Sequence, residues 1–435
     1  MNTLLWFNND CRLHDNEALN RAATGTTRLL CVFCIDPRWF KNDHYGNQPL
    51  GAFRQQFLNE TLSNLSKNLH SAGQTLHITY GDPVATLGSL VEKHNITRVV
   101  RSQHSGVYEN NQWQRLCEKH PQARFESIDT FTLFKREQLV SLDSFPTSFS
   151  KFRKFVEHLS INEPFRQIRK LPPPLLLPVQ LDAVNKLNNK ENIDLPFKGG
   201  EESALAHCEE YFASGAASTY KETRNALMGF DQSCKFSPWL AVGSLSPREV
   251  VKQLRAYEQE HGANDSTGWI FFELLWREYF QWYAKHYDES MFSFSGIQHK
   301  KPLTSFYPQR FKQWAAGNTS WPLVNACMRE LNTTGYMSNR GRQIVASCLI
   351  NELGLDWRCG AAYFEQQLVD YDVASNWGNW QYIAGVGADP RGGRHFNIEK
   401  QTAQYDPEYI YINQWCSETT ERLPMDSVDA ADWPL

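Results

Sequence analysis

Over the first 130 residues, short apolar runs alternate with stretches whose apolar positions recur every three or four residues. The runs predict strands at Leu4–Phe7, Leu29–Ile35, Leu76–Tyr80, Arg98–Arg101 and Arg124–Ile128. A long helix is expected after Gly46 and Pro49-Leu50-Gly51, reaching His70, and another from Asp82-Pro83. Such alternation predicts a parallel sheet covered by helices. No Gly-x-Gly-x-x-Gly follows the first strand, so the usual dinucleotide fingerprint is absent and no nicotinamide cofactor is expected there. From about 131 to 200 the prolines at 146, 164, 172–174, 178 and 196, closed by Gly199-Gly200, predict a connector draped over the surface. Its basic clusters, Lys151-Phe152-Arg153-Lys154 and Arg166…Arg169-Lys170, ordinarily form a solvated face. Beyond Glu201 the strand signals vanish. Ser246-Pro247-Arg248-Glu249 is a helix start with Ser as N-cap, Pro at N1 and Glu at N3. Asp265-Ser266 introduces Trp269–His286, apolar on most sides and so deeply buried. Within it Glu273, Trp276, Arg277 and Phe280 fall on one face, which implies a polar cavity beside the helix. The expected organisation is an α/β domain over 1–130, a connector over 131–200, an all-helical domain over 201–400 and an acidic tail over 401–435.

Composition adds little until the aromatics are counted. The chain has 435 residues, 41% apolar, with a formal charge of −4; its length favours two domains, and any nucleic-acid surface must be a local basic patch. No signal segment or bilayer-length apolar run is visible, and the ten cysteines are scattered, which fits reduced thiols in a cytoplasm. Cys31 and Cys34 form a C-x-x-C, but on a strand they point to opposite faces and read as buried structural thiols. No metal site is expected. Fourteen tryptophans, by contrast, suggest an aromatic-lined site.

The candidate chemistry concentrates between Asp356 and Trp380, where three tryptophans, three aspartates and two asparagines share one stretch. Indoles pack and pass electrons, carboxylates hold hydroxyls and cations, and an amide can face a heterocycle whose protonation changes. The combination reads as a pocket for a redox-active ring. Two further stretches support it. Ser218–Arg224 with Ser233-Cys234-Lys235-Phe236-Ser237-Pro238 offers hydroxyls and a cation before a helix, suited to a diphosphate, although such stretches more often merely cap helices. Asn339-Arg340-Gly341-Arg342-Gln343 puts two arginines ahead of the apolar run Ile344–Ile350, where a buried arginine needs a partner such as Asp370 or Asp372.

Several long motifs in order resemble the photolyase/cryptochrome flavoproteins: Thr219–Asn225, Lys235–Leu240, Phe272–Phe280, Thr334–Gln343 and Tyr371–Tyr382. Within that family the chain is most similar to the DASH cryptochromes, from the run at residues 9–16 to about Asp406. The resemblance implies an N-terminal Rossmann-like α/β antenna domain and a C-terminal all-helical domain holding FAD. It implies that Tyr220, Ser233, Cys234, Lys235, Phe236 and Ser237 contact the diphosphate and ribityl chain. Asn339, Arg342, Asp370, Asp372 and Asn376 match positions around the isoalloxazine, with Arg277 also counted as cofactor-binding. Trp380 and Trp357 match the proximal and middle members of an electron relay. Glu273 and Trp276, with Asn339, Gln343 and Tyr382, match the face that takes a flipped pyrimidine dimer. Gln343 and Tyr382 stand where duplex-repairing relatives carry Met and Trp, which implies a preference for single-stranded DNA. A folate antenna, 5,10-methenyltetrahydrofolate, is implied between the domains, with Glu109 its candidate contact.

Three departures stand out. The outer relay position falls at Thr304, which cannot carry an electron hole; Phe306 is no better, and Tyr307 or Trp314 would have to substitute. Slower or rerouted photoreduction is expected. Cys234 replaces the branch's usual Thr, and Gln232 a usual Tyr. The expectation is a light-driven lyase (deoxyribodipyrimidine photolyase type) acting on dimers in single-stranded or looped DNA, as a cytoplasmic monomer without membrane contact; RNA is a further potential partner. The competing readings are a signalling photoreceptor, in which the redox change alters a surface, and a nucleic-acid-binding flavoprotein without repair.

Overall fold

The computed structural model describes residues 1–139, 145–168, 170–178, 181–187, 193–389 and 391–416. Arg169 of the connector and residues 417–435 of the acidic tail lie outside the described residues.

All five expected strands form: β1 (Asn2–Phe7), β2 (Arg28–Ile35), β3 (Leu76–Tyr80), β4 (Ile96–Ser102) and β5 (Arg124–Ile128). They pair in parallel in the order β3-β2-β1-β4-β5. The order reverses direction at β1, the doubly wound arrangement. Because side chains alternate across a strand, Leu5, Phe7 and Cys31 pack under the helix Ala52–Ser71, through Leu58, Leu62 and Leu65. Leu4, Trp6 and Val32 face Val84, Leu87 and Leu116 on the other side. Cys31 and Cys34 are both free and buried. Pro83–Lys93 starts where expected, capped by the Asp82 side chain.

The connector is more than a surface strap. Its helix Phe149–Val156 turns Phe149, Phe152 and Val156 into the core of the helical half. The backbone of Pro173 and Leu175 bonds Leu29. The basic side chains of Lys151 and Lys154 point outward, so the amphipathic period joins an apolar face to a solvated one.

Helices make up the second half. Ser246 caps Pro247–His261 as expected, its Oγ accepting from the Arg248 N–H. The long buried helix runs Asp265–Tyr287 and is capped by Asn264, whose exchange of bonds with Thr267 forms a capping box. The cap therefore lies one residue before the expected Asp265-Ser266 signal. No described helix is long and apolar enough to cross a membrane.

The run at residues 9–16 joins the halves. The buried Arg12 guanidinium donates to Gly243 O (2.8 Å) and Thr130 O (2.7 Å). Asp15 pairs with Arg248 at 2.9 Å, both side chains buried. Glu201 accepts from the Leu13 and His14 N–H groups and from the His14 ring. A buried charge without its partner costs several kcal/mol, so this junction holds one geometry. That geometry aligns the cavities described next.

Candidate functional site: two adjoining cavities in the helical half and one between the halves

The Asp265–Tyr287 helix presents Glu273, Trp276, Arg277 and Phe280 to one cavity of about 420 Å³, as their spacing implies. Tyr220, Ser233, Cys234, Lys235, Phe236 and Ser237 line the same space, with Asn339, Arg342, Gln343, Asp370, Asp372 and Tyr382. A smaller adjoining cavity of about 100 Å³ shares Asn339, Arg342, Gln343, Asp370, Asp372, Ser375 and Asn379, and adds Asn376 and Trp380. Residues from five separate stretches thus converge on one space.

Its polar groups are held in defined states. Arg342 donates to Asp370 at 2.9 Å, and its Nε to Met337 O at 2.9 Å. Burial works against the Arg342 charge, but the Asp370 carboxylate outweighs it and holds the guanidinium above its ordinary pKa. The other Asp370 oxygen, Oδ1, is buried and has no partner among the described residues, so it is an acceptor open to a ligand donor. Asp372 lines the cavities but is not the partner of Arg342. It caps the helix Val373–Ala384 and accepts both bonds of the buried Gln281 amide, at 2.9 and 3.0 Å. Gln281 in turn accepts from Ser105 of the α/β half at 2.5 Å. Gln281 is a positioning residue the motifs do not single out; its place four residues after Arg277 is the available signal. Among the described residues Arg340 meets no carboxylate, but donates to Asn225 Oδ1 at 3.2 Å and lies over Tyr405.

Asn376 donates one amide hydrogen to Ala361 O at 3.0 Å. A carbonyl can only accept, so the amide's orientation is fixed, leaving Oδ1 and the second N–H for a ligand. At the opposite end Lys235 adopts φ +51 and donates to Ser233 Oγ at 2.8 Å, its ammonium over the Tyr336 ring. Burial lowers its pKa. Cys234 is half-buried, desolvation raises the pKa of its thiol, and Gln232 accepts through its backbone from the Thr223 hydroxyl.

On the open side, Glu273 Oε1 accepts from Arg224 (2.6 Å) and from the Trp269 indole (3.2 Å). Burial raises its pKa, and Arg224 opposes that shift. One face of Trp276 is already covered: Phe149 of the connector stacks on it, centroids 3.8 Å apart and planes 11° from parallel. Tyr382 meets Trp276 edge-on at 5.8 Å, and its hydroxyl accepts from Arg394. Arg277 donates to Phe131 O at 2.8 Å.

Trp380 rests against Gly360, where a Cβ would run into its ring. Trp357 is fully buried outside both cavities, on the same helix as Gly360, and donates to Phe294 O at 3.1 Å. Thr304 precedes Ser305, which is paired with Leu355 just before Trp357, and its hydroxyl is buried without a partner among the described residues. Glu109 is not at this site. It lines a third cavity, about 590 Å³, between the halves, its carboxylate 3.5 Å from His104.

Comparison with known proteins accounts for this arrangement. A family model described as DNA photolyase matches residues 3–174, and one described as the FAD binding domain of DNA photolyase matches residues 269–433. A cryptochrome DASH from Idiomarina loihiensis is 49% identical over 437 residues, covering 99% of this chain and 96% of that protein. The chain belongs to the DASH cryptochromes of the photolyase family. A crystal structure of a Synechocystis cryptochrome superposes with a TM-score of 0.91 at 40% identity, covering 96% of this chain and 89% of that one. A class III photolyase from Agrobacterium tumefaciens gives 0.82 at 28%, covering 95% and 86%. As a DASH cryptochrome the chain carries an FAD-binding domain, and the residues present fit that group. The unpartnered Asp370 oxygen, the oriented Asn376 amide and the Ser233–Lys235 turn all face the shared cavities.

Proposed function

We propose that this protein is a light-driven lyase that splits cyclobutane pyrimidine dimers in single-stranded or looped DNA. The observation that carries the reading is that one cavity is lined both by the FAD-cradling residues and by Glu273, Trp276, Gln343 and Tyr382. A dimer in that mouth would sit directly against the cofactor. When bound, reduced FAD supplies, on excitation, the electron that opens the dimer and then takes it back.

The chain's own groups bind and orient. Asn376 Oδ1 accepts from a protonated ring nitrogen and its free N–H donates to an unprotonated one, so one side chain serves both states. Asp370 keeps Arg342 fixed beside the same ring. Lys235, Ser233 and Ser237 hold the diphosphate end. Glu273 offers Oε2 to a base edge while Oε1 stays tied to Arg224. Trp276, backed by Phe149, presents its remaining surface to the dimer as a rigid apolar wall. Tyr382, where duplex-repairing relatives carry Trp, offers less stacking area. Photolyases are a known instance of base flipping: extruding the target from a duplex costs a few kcal/mol, and least from a single strand. The weaker wall therefore favours the single strand. Folate in the 590 Å³ cavity, against Glu109, would extend light capture, and the free cysteines suit a cytoplasmic setting.

Illumination of the reduced protein with a dimer-containing single-stranded oligonucleotide tests the reading. Recovery of the thymine ultraviolet absorbance is expected; its absence from a fully flavin-loaded sample would leave signalling without repair.

A further inference from the structure

With threonine at position 304, the oxidising equivalent that leaves Trp357 needs another way out, and the ring contacts supply one. Trp357 meets Trp377 at 5.8 Å, planes 78° apart. Trp377 lines the 590 Å³ cavity and donates its indole N–H to the Tyr371 hydroxyl at 3.2 Å. Tyr371 lines the same cavity, and so does Glu365, whose carboxylate faces the Tyr371 hydroxyl.

Among the described residues, the competing branch lacks a proton acceptor at its end. Trp380 meets Trp314 at 6.2 Å, and Trp314 meets Tyr363 at 5.7 Å. Trp314 is fully buried and donates to Val345 O; the Tyr363 hydroxyl bonds Ala315 O and Asn332. Neither a backbone carbonyl nor an amide takes a proton. A hole on that branch stays a buried cation and returns.

We propose that Trp377 and Tyr371 form the outer end of the electron relay, with Glu365 as the proton acceptor, so that the hole leaves through the cavity between the two halves. The proposal rests on the flavin photochemistry above. Trp380 gives one electron to the light-excited oxidised flavin; Trp357 refills Trp380, Trp377 refills Trp357 and Tyr371 refills Trp377. The phenolic proton of Tyr371 passes to Glu365. The net change is one electron gained by the flavin, one electron and one proton lost by Tyr371, and one proton gained by Glu365. Arg54 explains why the proton must move: its guanidinium lies 4.6 Å over the Tyr371 ring. A second positive charge there is disfavoured, so the hole can rest on Tyr371 only as a neutral radical.

The groups facing Glu365 are Tyr371, Arg54, Glu109 and Asp43. Burial pushes its pKa up to about 7; Arg54 and the Tyr371 hydroxyl favour its ionised form, and the two acids oppose it. The acceptor must be ionised, so the tyrosyl share of the radical should rise as pH rises through the neutral range and fall on acidification.

The test is electron paramagnetic resonance and transient absorption of the illuminated holoprotein, with ring-deuterated tyrosine to identify the radical. Wild type should give a neutral tyrosyl radical that is lost in Tyr371→Phe, leaving a tryptophanyl radical. Trp377→Phe should also lose the tyrosyl signal while flavin content stays unchanged. Glu365→Gln should lose its pH dependence. A wild-type signal that is tryptophanyl alone, or a tyrosyl signal that survives Tyr371→Phe or Trp377→Phe, overturns the route. Bound flavin that is not photoreduced also overturns the route, whereas failure to bind flavin at all would instead strike the functional reading beneath it.

Discussion

At Asn376 a single hydrogen bond decides what the side chain offers a cofactor, because Ala361 O takes one amide hydrogen and leaves the rest facing the cavity. Asp370 works in the same way, with one oxygen on Arg342 and the other free. Asp370→Asn should therefore leave the half-buried Arg342 guanidinium without its counter-charge, costing roughly 1–3 kcal/mol of stability, and the purified variant should retain less flavin by its visible absorption. Normal flavin content and melting would contradict that role. The Arg342–Asp370 pair is legible in the sequence, since an arginine entering an apolar helix needs an acid. The fate of Asp372 is not, because Gln281, itself bonded by Ser105, reaches it only through tertiary packing. Arg340 shows the same limit: its partner is Asn225 and an aromatic face, neither of which spacing along the chain reveals.

Among the elements, the helix Trp357–Gln367 carries Trp357 and the Gly360 on which Trp380 lies. Gly360→Ala would force the Trp380 ring away from its seat. Overpacking of this kind costs about 1–3 kcal/mol, measurable by chemical denaturation, and the displaced indole should slow flavin photoreduction. An unchanged denaturation midpoint would show that the ring can shift freely. Strands and helix starts are readable because alternation and caps are local signals: Asp82 and Ser246 both cap where the local sequence puts them. The connector is harder to read. Its prolines forbid long elements and so suggest a surface strap, but the inward turn of Phe149 behind Trp276 depends on a partner more than a hundred residues away.

For the molecule as a whole, the parallel sheet and the helical half follow from the change in hydrophobic period, but the junction at residues 9–16 does not. Arg12 and Asp15 look like surface charges until Gly243 and Arg248 are placed beside them. Buried acids also give stability a pH dependence. Burial pushes Glu278 and Glu330 from an ordinary 4.5 up to about 7, as it does Glu365. Between those values the folded state binds more protons than the unfolded chain, so these groups lower stability as pH rises from 4.5 towards 7. Burial acts against the charges of Glu201 and Asp129 as well, but hydrogen bonds and ion partners outweigh it and hold both below their ordinary values. These two stabilise in the opposite sense and lose their contribution only on stronger acidification. Thermal melting should accordingly be higher at about pH 5 than at about pH 8; the reverse order would mean that the raised acids are ionised in the fold.

The shared cavity remains the centre of the account, since it places dimer-contacting side chains against the cofactor cradle. The direct measurement is anaerobic illumination of the fully reduced, flavin-loaded protein with the same thymine dimer presented in a single strand and in a duplex. Recovery of thymine absorbance in the single strand, and much less in the duplex, is the expected result. No recovery in either, from protein whose flavin bands confirm occupancy and reduction, would contradict it.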